Sequence, residues 1–182
     1  MVASYSLMWI LAARLPGVFA RLEVTVTVAT ALSGLLDVFR AATFLALQLW
    51  RGWHHRAGPL VLVMVGLPLG FGLALFGPNL AVVLVGELVF GLAAGMTYYA
   101  ALYYAMVVKN AAVEAGGAHE GLIGAGFAIG PVAGLAGGAL APVVGGAVLG
   151  MVFGVGPVVL TCVVVAAAFL LKTRAQSPEP DG

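Results

Sequence analysis

Apolar residues fill this chain in six long stretches, at 2–20, 24–50, 59–76, 80–108, 121–144 and 147–171. Short polar breaks separate them. These are Arg21-Leu22-Glu23, Arg51-Gly52-Trp53-His54-His55-Arg56, Gly77-Pro78-Asn79, the segment from Lys109 to His119, and Gly145-Gly146. A helix needs about 20 apolar residues to cross the hydrocarbon core of a bilayer. Barrel strands instead alternate apolar and polar positions over about 10 residues, whereas these runs are continuously apolar over greater lengths. The pattern predicts an all-α membrane protein with six transmembrane helices. The polar tail 172–182, with two prolines, is expected to be disordered.

The positions of Lys and Arg predict an orientation. With six spans, Arg51, Arg56, Lys109, Lys172 and Arg174 fall on one side, and the opposite loops hold only Arg21. The positive-inside rule then places both termini in the cytoplasm, in a multi-pass inner-membrane topology. The first run is unusual, because it meets Arg14 and Pro16 early. Val18-Phe19-Ala20 resembles a signal-peptide cleavage site, but no Lys or Arg precedes the apolar stretch. The favoured reading is a first helix cut short, in a fragment, a chain with a misplaced start or a true half-length protein.

Composition narrows the function classes. The chain is 63% hydrophobic and 8% charged, with mean hydropathy +1.13. Soluble domains carry about 25% charged residues, so a soluble enzyme and a disordered chain are excluded. Eight basic against seven acidic residues leave no field to hold nucleic acid. Cys162 is the single cysteine, which excludes a disulfide framework. No Gly-x-x-x-x-Gly-Lys phosphate loop occurs, so ATP is not the direct energy source. No nucleophile–base or metalloprotease pattern lies at membrane depth. The sequence therefore predicts neither an enzyme nor a cofactor.

Charge inside a membrane is costly and marks function. The intramembrane candidates are Arg14, Asp37, Arg40 and Glu87. Thr30, Ser33, Asp37 and Arg40 recur three, four and three residues apart, which puts them on one helix face. Asp37 and Arg40 can pair as i, i+3 neighbours. The stripe either lines an aqueous cavity or is a self-neutralised pair buried for packing. Glu87 and Tyr98, eleven residues apart, share a face of the fourth helix. Glu87 is expected either to carry a proton or face substrate, or to partner Arg14 or Arg40. Tyr98 would line the site, whereas Tyr103 and Tyr104 fit an interfacial belt. Trp50 and Trp53 read as an interfacial anchor, and Glu120 beside His119 as a cap opening the fifth helix. Helices three and six hold no charge within their spans, so polarity recurs with a period of three, as in two three-helix repeats.

Glycines form a second pattern. Gly126, Gly130, Gly134 and Gly138 recur every four residues on the fifth helix. Gly146, Gly150 and Gly154 do so on the sixth, and Gly91 and Gly95 on the fourth. Such stripes admit close helix contact and smooth rocking. Pro131, beside Gly130, is expected to weaken its helix locally.

The segment Gly126-Phe127-Ala128-Ile129-Gly130-Pro131-Val132-Ala133-Gly134 resembles the Gly-x-x-x-Gly-Pro-x-x-Gly motif of the major facilitator superfamily of transporters. That motif lies on the fifth helix of a six-helix half, as it does here. Glu87 with Gly91 occupies the place of the family's Arg-x-x-x-Gly element, with Glu in place of Arg. The loop 51–56 lies where the family carries Asp-Arg and Gly-Arg-Arg elements and does not reproduce them. The stretch from Tyr98 to Gly130 is similar to the tenth and eleventh helices of some bacterial permeases. The resemblance implies half of a major facilitator fold, the C-terminal half being favoured. It further implies a secondary active transporter of permease or efflux type, moving a small solute by alternating access with protons as the coupling ion. Such a half needs a second six-helix half or a homodimer, in a lipid bilayer. The alternative left open is a six-helix membrane scaffold or assembly protein that transports nothing.

Overall fold

The structure is a computed structural model that describes residues 1–54, 57–108 and 112–175. His55, Arg56, Lys109 and the tail beyond 175 lie outside the described residues. Among the described residues there are seven α-helices: α1 (Val2–Arg21), α2 (Val26–Ser33), α3 (Leu35–Leu49), α4 (Ala57–Phe76), α5 (Leu80–Tyr103), α6 (Ala112–Val144) and α7 (Ala147–Ala175). No strand occurs among the described residues. Val2–Arg21, Val26–Leu49, Leu80–Met106 and Gly116–Val144 are long and apolar enough to cross a membrane. Val61–Phe76 and Ala147–Thr161 are shorter apolar helices.

Several boundaries differ from those the hydropathy pattern predicts. The second run is two helices, because Gly34 closes a tight turn with its N–H donating to the Ala31 carbonyl at 3.2 Å. The Thr30 and Ser33 hydroxyls donate to the Val26 and Ala29 carbonyls at 2.9 Å. Such back-bonding bends a helix, and α2 and α3 form one kinked rod. The fourth run ends in a single π turn at Tyr104–Val108. α6 starts at Ala112, nine residues before the apolar stretch, and runs unbroken through Pro131 and Pro142. His119 and Glu120 therefore lie inside α6 and do not open it. α7 continues to Ala175, past the expected end of order at 171.

The turns have local causes. Glu23, at φ 57°, reverses the chain between α1 and α2. Gly145 and Gly146, at φ 90° and 143°, turn α6 into α7 in a backbone region open to glycine. Asn79 caps α5, its side-chain oxygen accepting from the Val82 amide at 3.0 Å. Asn79→Ala is expected to cost about 1 kcal/mol, read as a lower midpoint in SDS-induced unfolding from mild micelles.

Glycine seams set the helix directions. On α6, Gly126 lies against Tyr5, Gly130 against Ser6, Gly134 against Ile10 and Gly138 against Arg14 of α1. Both series rise together, so α1 and α6 are parallel. Gly91 lies against Leu36, Phe39 and Arg40, and Gly95 against Arg40 and Thr43, so α3 and α5 are also parallel. Gly70 meets Phe90 while Gly86 meets Ala74, which makes α4 and α5 antiparallel. Gly150 and Gly154 interlock with Gly137, which makes α6 and α7 antiparallel. Gly146 faces open space and belongs to the turn rather than to that seam. Met8 meets Arg40 while Leu15 faces Ser33 across a groove, so α1 runs against the α2–α3 rod. Direction thus alternates from each rod to the next, α2 and α3 counted as one. The core runs through the middle, with Leu7, Leu11, Phe19, Val83 and Phe90 almost wholly buried.

Candidate functional site

The polar stripe of the α2–α3 rod opens on a groove against α1. Thr30 and Ser33 spend their hydroxyl protons on their own helix, which leaves oxygen lone pairs free for a ligand. Asp37 and Arg40 form the expected i, i+3 ion pair at 3.0 Å. A second guanidinium nitrogen of Arg40 donates to the Met8 sulfur at 3.0 Å and ties the pair to α1. The groove holds about 260 Å³ and is lined by Met8, Trp9, Ala12, Leu15, Ser33, Leu36, Asp37 and Arg40. An adjoining recess of about 130 Å³ carries Thr30 and shares Ser33 with it. Asp37 is 66% exposed within this chain. The stripe is therefore open within this chain. It offers a carboxylate and a guanidinium side by side, which suits solutes of either charge.

Glu87 is placed differently. It is 0% exposed, and neither carboxyl oxygen has a hydrogen-bond partner. Gly91, one turn along α5, seats this helix against the Leu36 carbonyl and Phe39. The Leu36 backbone lies beside the Glu87 carboxyl without closing a hydrogen bond. Leu36 also lines the groove, so the first turn of α3 separates Glu87 from it. Pairing of Glu87 with Arg14 or Arg40 does not occur. Arg14 donates to the Gly134 carbonyl at 3.2 Å, and Arg40 is engaged by Asp37 and Met8.

Tyr98 stands apart from both. It lies about 16 Å along α5 from Glu87 at the helical rise, in an aromatic cluster with Tyr5, Phe44 and His119. The structure thus joins Ser33, Asp37 and Arg40 in one groove with Thr30 in the adjoining recess, and leaves Glu87 behind the groove and Tyr98 at another level.

Two further expectations change. Trp53 is 1% exposed, and its indole N–H donates to the Leu47 carbonyl at 3.1 Å. Tyr99, Tyr103, Tyr104 and His54 pack around it, so Trp53 is a core residue and only Trp50 fits an exposed anchor. His119 is 5% exposed with its Nε2 unpartnered, and is therefore an interior group. One signal in the sequence could have found it. His119 lies seven residues before Gly126, two helical turns, and so extends the glycine stripe that meets α1. Compared with known proteins, the chain matches no family model, no curated protein and no solved structure.

Proposed function

We propose that this chain is one six-helix unit of a secondary active transporter in the inner membrane. It moves a small solute by alternating access against a second six-helix half or a second copy of itself. The Asp37–Arg40 pair on an open groove carries this reading. A charged pair presented to lipid at membrane depth costs several kcal/mol, so the groove belongs against water and a facing unit. Thr30, Ser33, Asp37 and Arg40 form the solute site, and Glu87 behind them is the group that takes up the coupling proton.

Helix order supports the same reading. Alternating directions suit six crossings with both termini in the cytoplasm. α1 packs on the second rod of the later triplet (α6), and the second rod of the earlier triplet packs on α5. That reciprocal exchange suits two three-helix repeats, as does the resemblance of 126–134 to the major facilitator motif.

Accessibility is the test. Ser33→Cys is made in a chain whose Cys162 is replaced by serine, and reconstituted in one orientation in proteoliposomes. An impermeant maleimide is expected to label position 33 from either side. Labelling from one side only, or none, would overturn alternating access in favour of a helix-binding scaffold.

A further inference from the structure

The polar atoms between α1 and the α2–α3 rod are mostly hydrogen-bond acceptors. The Thr30 and Ser33 hydroxyls give their protons to the Val26 and Ala29 carbonyls, so each oxygen retains only lone pairs. Ser33 lines both the groove and the adjoining recess, and Thr30 lines the recess. Pro16 adds a third acceptor. It stands inside α1 without an N–H, so the Ala12 carbonyl loses its regular helical hydrogen bond. A helical carbonyl points toward the residue four ahead. Ala12 lines the groove and Pro16 the recess, so this carbonyl lies where the two spaces join, the position that Ser33 shares.

The Asp37–Arg40 pair by itself suits either charge, and exposure decides between them. Both terminal nitrogens of Arg40 are engaged inside the chain, Nη2 with Asp37 Oδ1 and Nη1 with the Met8 sulfur. Arg40 is 27% exposed and Asp37 66%. The pair therefore turns its carboxylate end outward. Met8, Leu15, Leu36 and the Trp9 ring make the rest of the wall apolar. An edge contact with Phe127, at 4.4 Å between centroids, steadies Trp9. Its indole N–H is a neutral donor, and its π face attracts cations. The groove's volume of about 260 Å³ matches roughly nine waters, which is room for one ring and a short chain.

We propose that the groove binds a small amphipathic organic cation, an ammonium on a short apolar body. The ammonium N–H groups donate to the Asp37 carboxylate, the Ser33 oxygen and the Ala12 carbonyl, and the body lies against Trp9 and Leu15. An anion would meet the same acceptors and an exposed carboxylate. That the cation is carried across the membrane rests on the transporter reading; that the groove binds it does not.

The probe is phenethylammonium, with 2-phenylethanol and 3-phenylpropanoate as neutral and anionic counterparts of similar shape. Binding to the full chain is measured by equilibrium dialysis in dodecyl maltoside micelles, which carry neither charge nor ammonium. The cation is expected to bind saturably, about tenfold or more tighter than either counterpart. Asp37→Asn is expected to weaken it about tenfold or more, and Ser33→Ala about fivefold. The Asp37 side chain is largely exposed, so Asp37→Asn is expected to keep its monodisperse peak on size exclusion. In that variant the released Arg40 is expected to raise the affinity for 3-phenylpropanoate. Three results would each overturn the proposal: no saturable binding of the cation, equal binding of the three probes, or a cation affinity unchanged in Asp37→Asn or in Ser33→Ala. So would displacement of the cation by phosphatidylethanolamine added to the micelles, which would assign the ammonium to a lipid headgroup. A chain that binds the cation but shows one-sided maleimide labelling loses the transporter reading and keeps the cation site.

Discussion

Gly86→Val is expected to abolish the folded bundle. A Cβ at position 86 would fall on the Ala74 amide nitrogen and within 2.8 Å of the Ala74 Cα, which are backbone atoms that no rotamer change can move. The facing side is equally closed, since a Cβ on Gly70 would lie 2.5 Å from the Phe90 nitrogen. α4 and α5 therefore meet backbone to backbone at two points, with fully buried Ala74, Val83 and Phe90 beside them. A valine forces the helices apart and strips those side chains of their contacts. The expected loss is about 3 kcal/mol or more, read as disappearance of the monodisperse peak on size exclusion in mild detergent. Gly72→Val supplies the control. Nothing lies within 4 Å of a Cβ there, and the peak is expected to survive.

Glu87→Met should do the opposite and stabilise the protein. The carboxyl of Glu87 is fully buried and neither oxygen is bonded. A thioether of similar length fills the same space and leaves no polar group unsatisfied. The expected gain is about 1–3 kcal/mol, measured as a higher midpoint in SDS-induced unfolding. The same substitution is expected to abolish proton uptake by the purified protein at this position. A destabilised Glu87→Met protein would mean that the carboxyl holds the fold together, and would remove it from the proton pathway.

The two substitutions mark the reach of the sequence. Runs of apolar residues fix the rods, because length and hydropathy are local properties, and α1 and α4 lie where the pattern places them. The Asp37–Arg40 pair was readable because both residues sit on one helix, where spacing alone decides which side chains are neighbours. Glu87 was harder. Its lack of a partner depends on how far Arg14 and Arg40 stand from it, across helices that no spacing relates. The start of α6 was hidden because the residues after 111 are too polar to read as a span, yet a helix can continue beyond the lipid it crosses. Trp53 and His119 share one cause: amphipathic residues near a span end suit an interface or a core equally well, and only the packing of α5 and α1 against them decides. The stripe at 126–138 pointed to a close contact, but not to α1 as its occupant.

The seam between α1 and α6 also has a consequence for register. A surface that repeats every four residues looks the same after a slide of about 6 Å, so glycine alone would let α1 settle one rung up or down. Two hydrogen bonds remove that freedom. Ser6 donates to the Gly126 carbonyl and Arg14 to the Gly134 carbonyl, both across a separation of 120 residues. They act as a pair of pegs eight residues apart on each helix, and a slide must pull both at once. α1 and α6 are thereby keyed into a single strut.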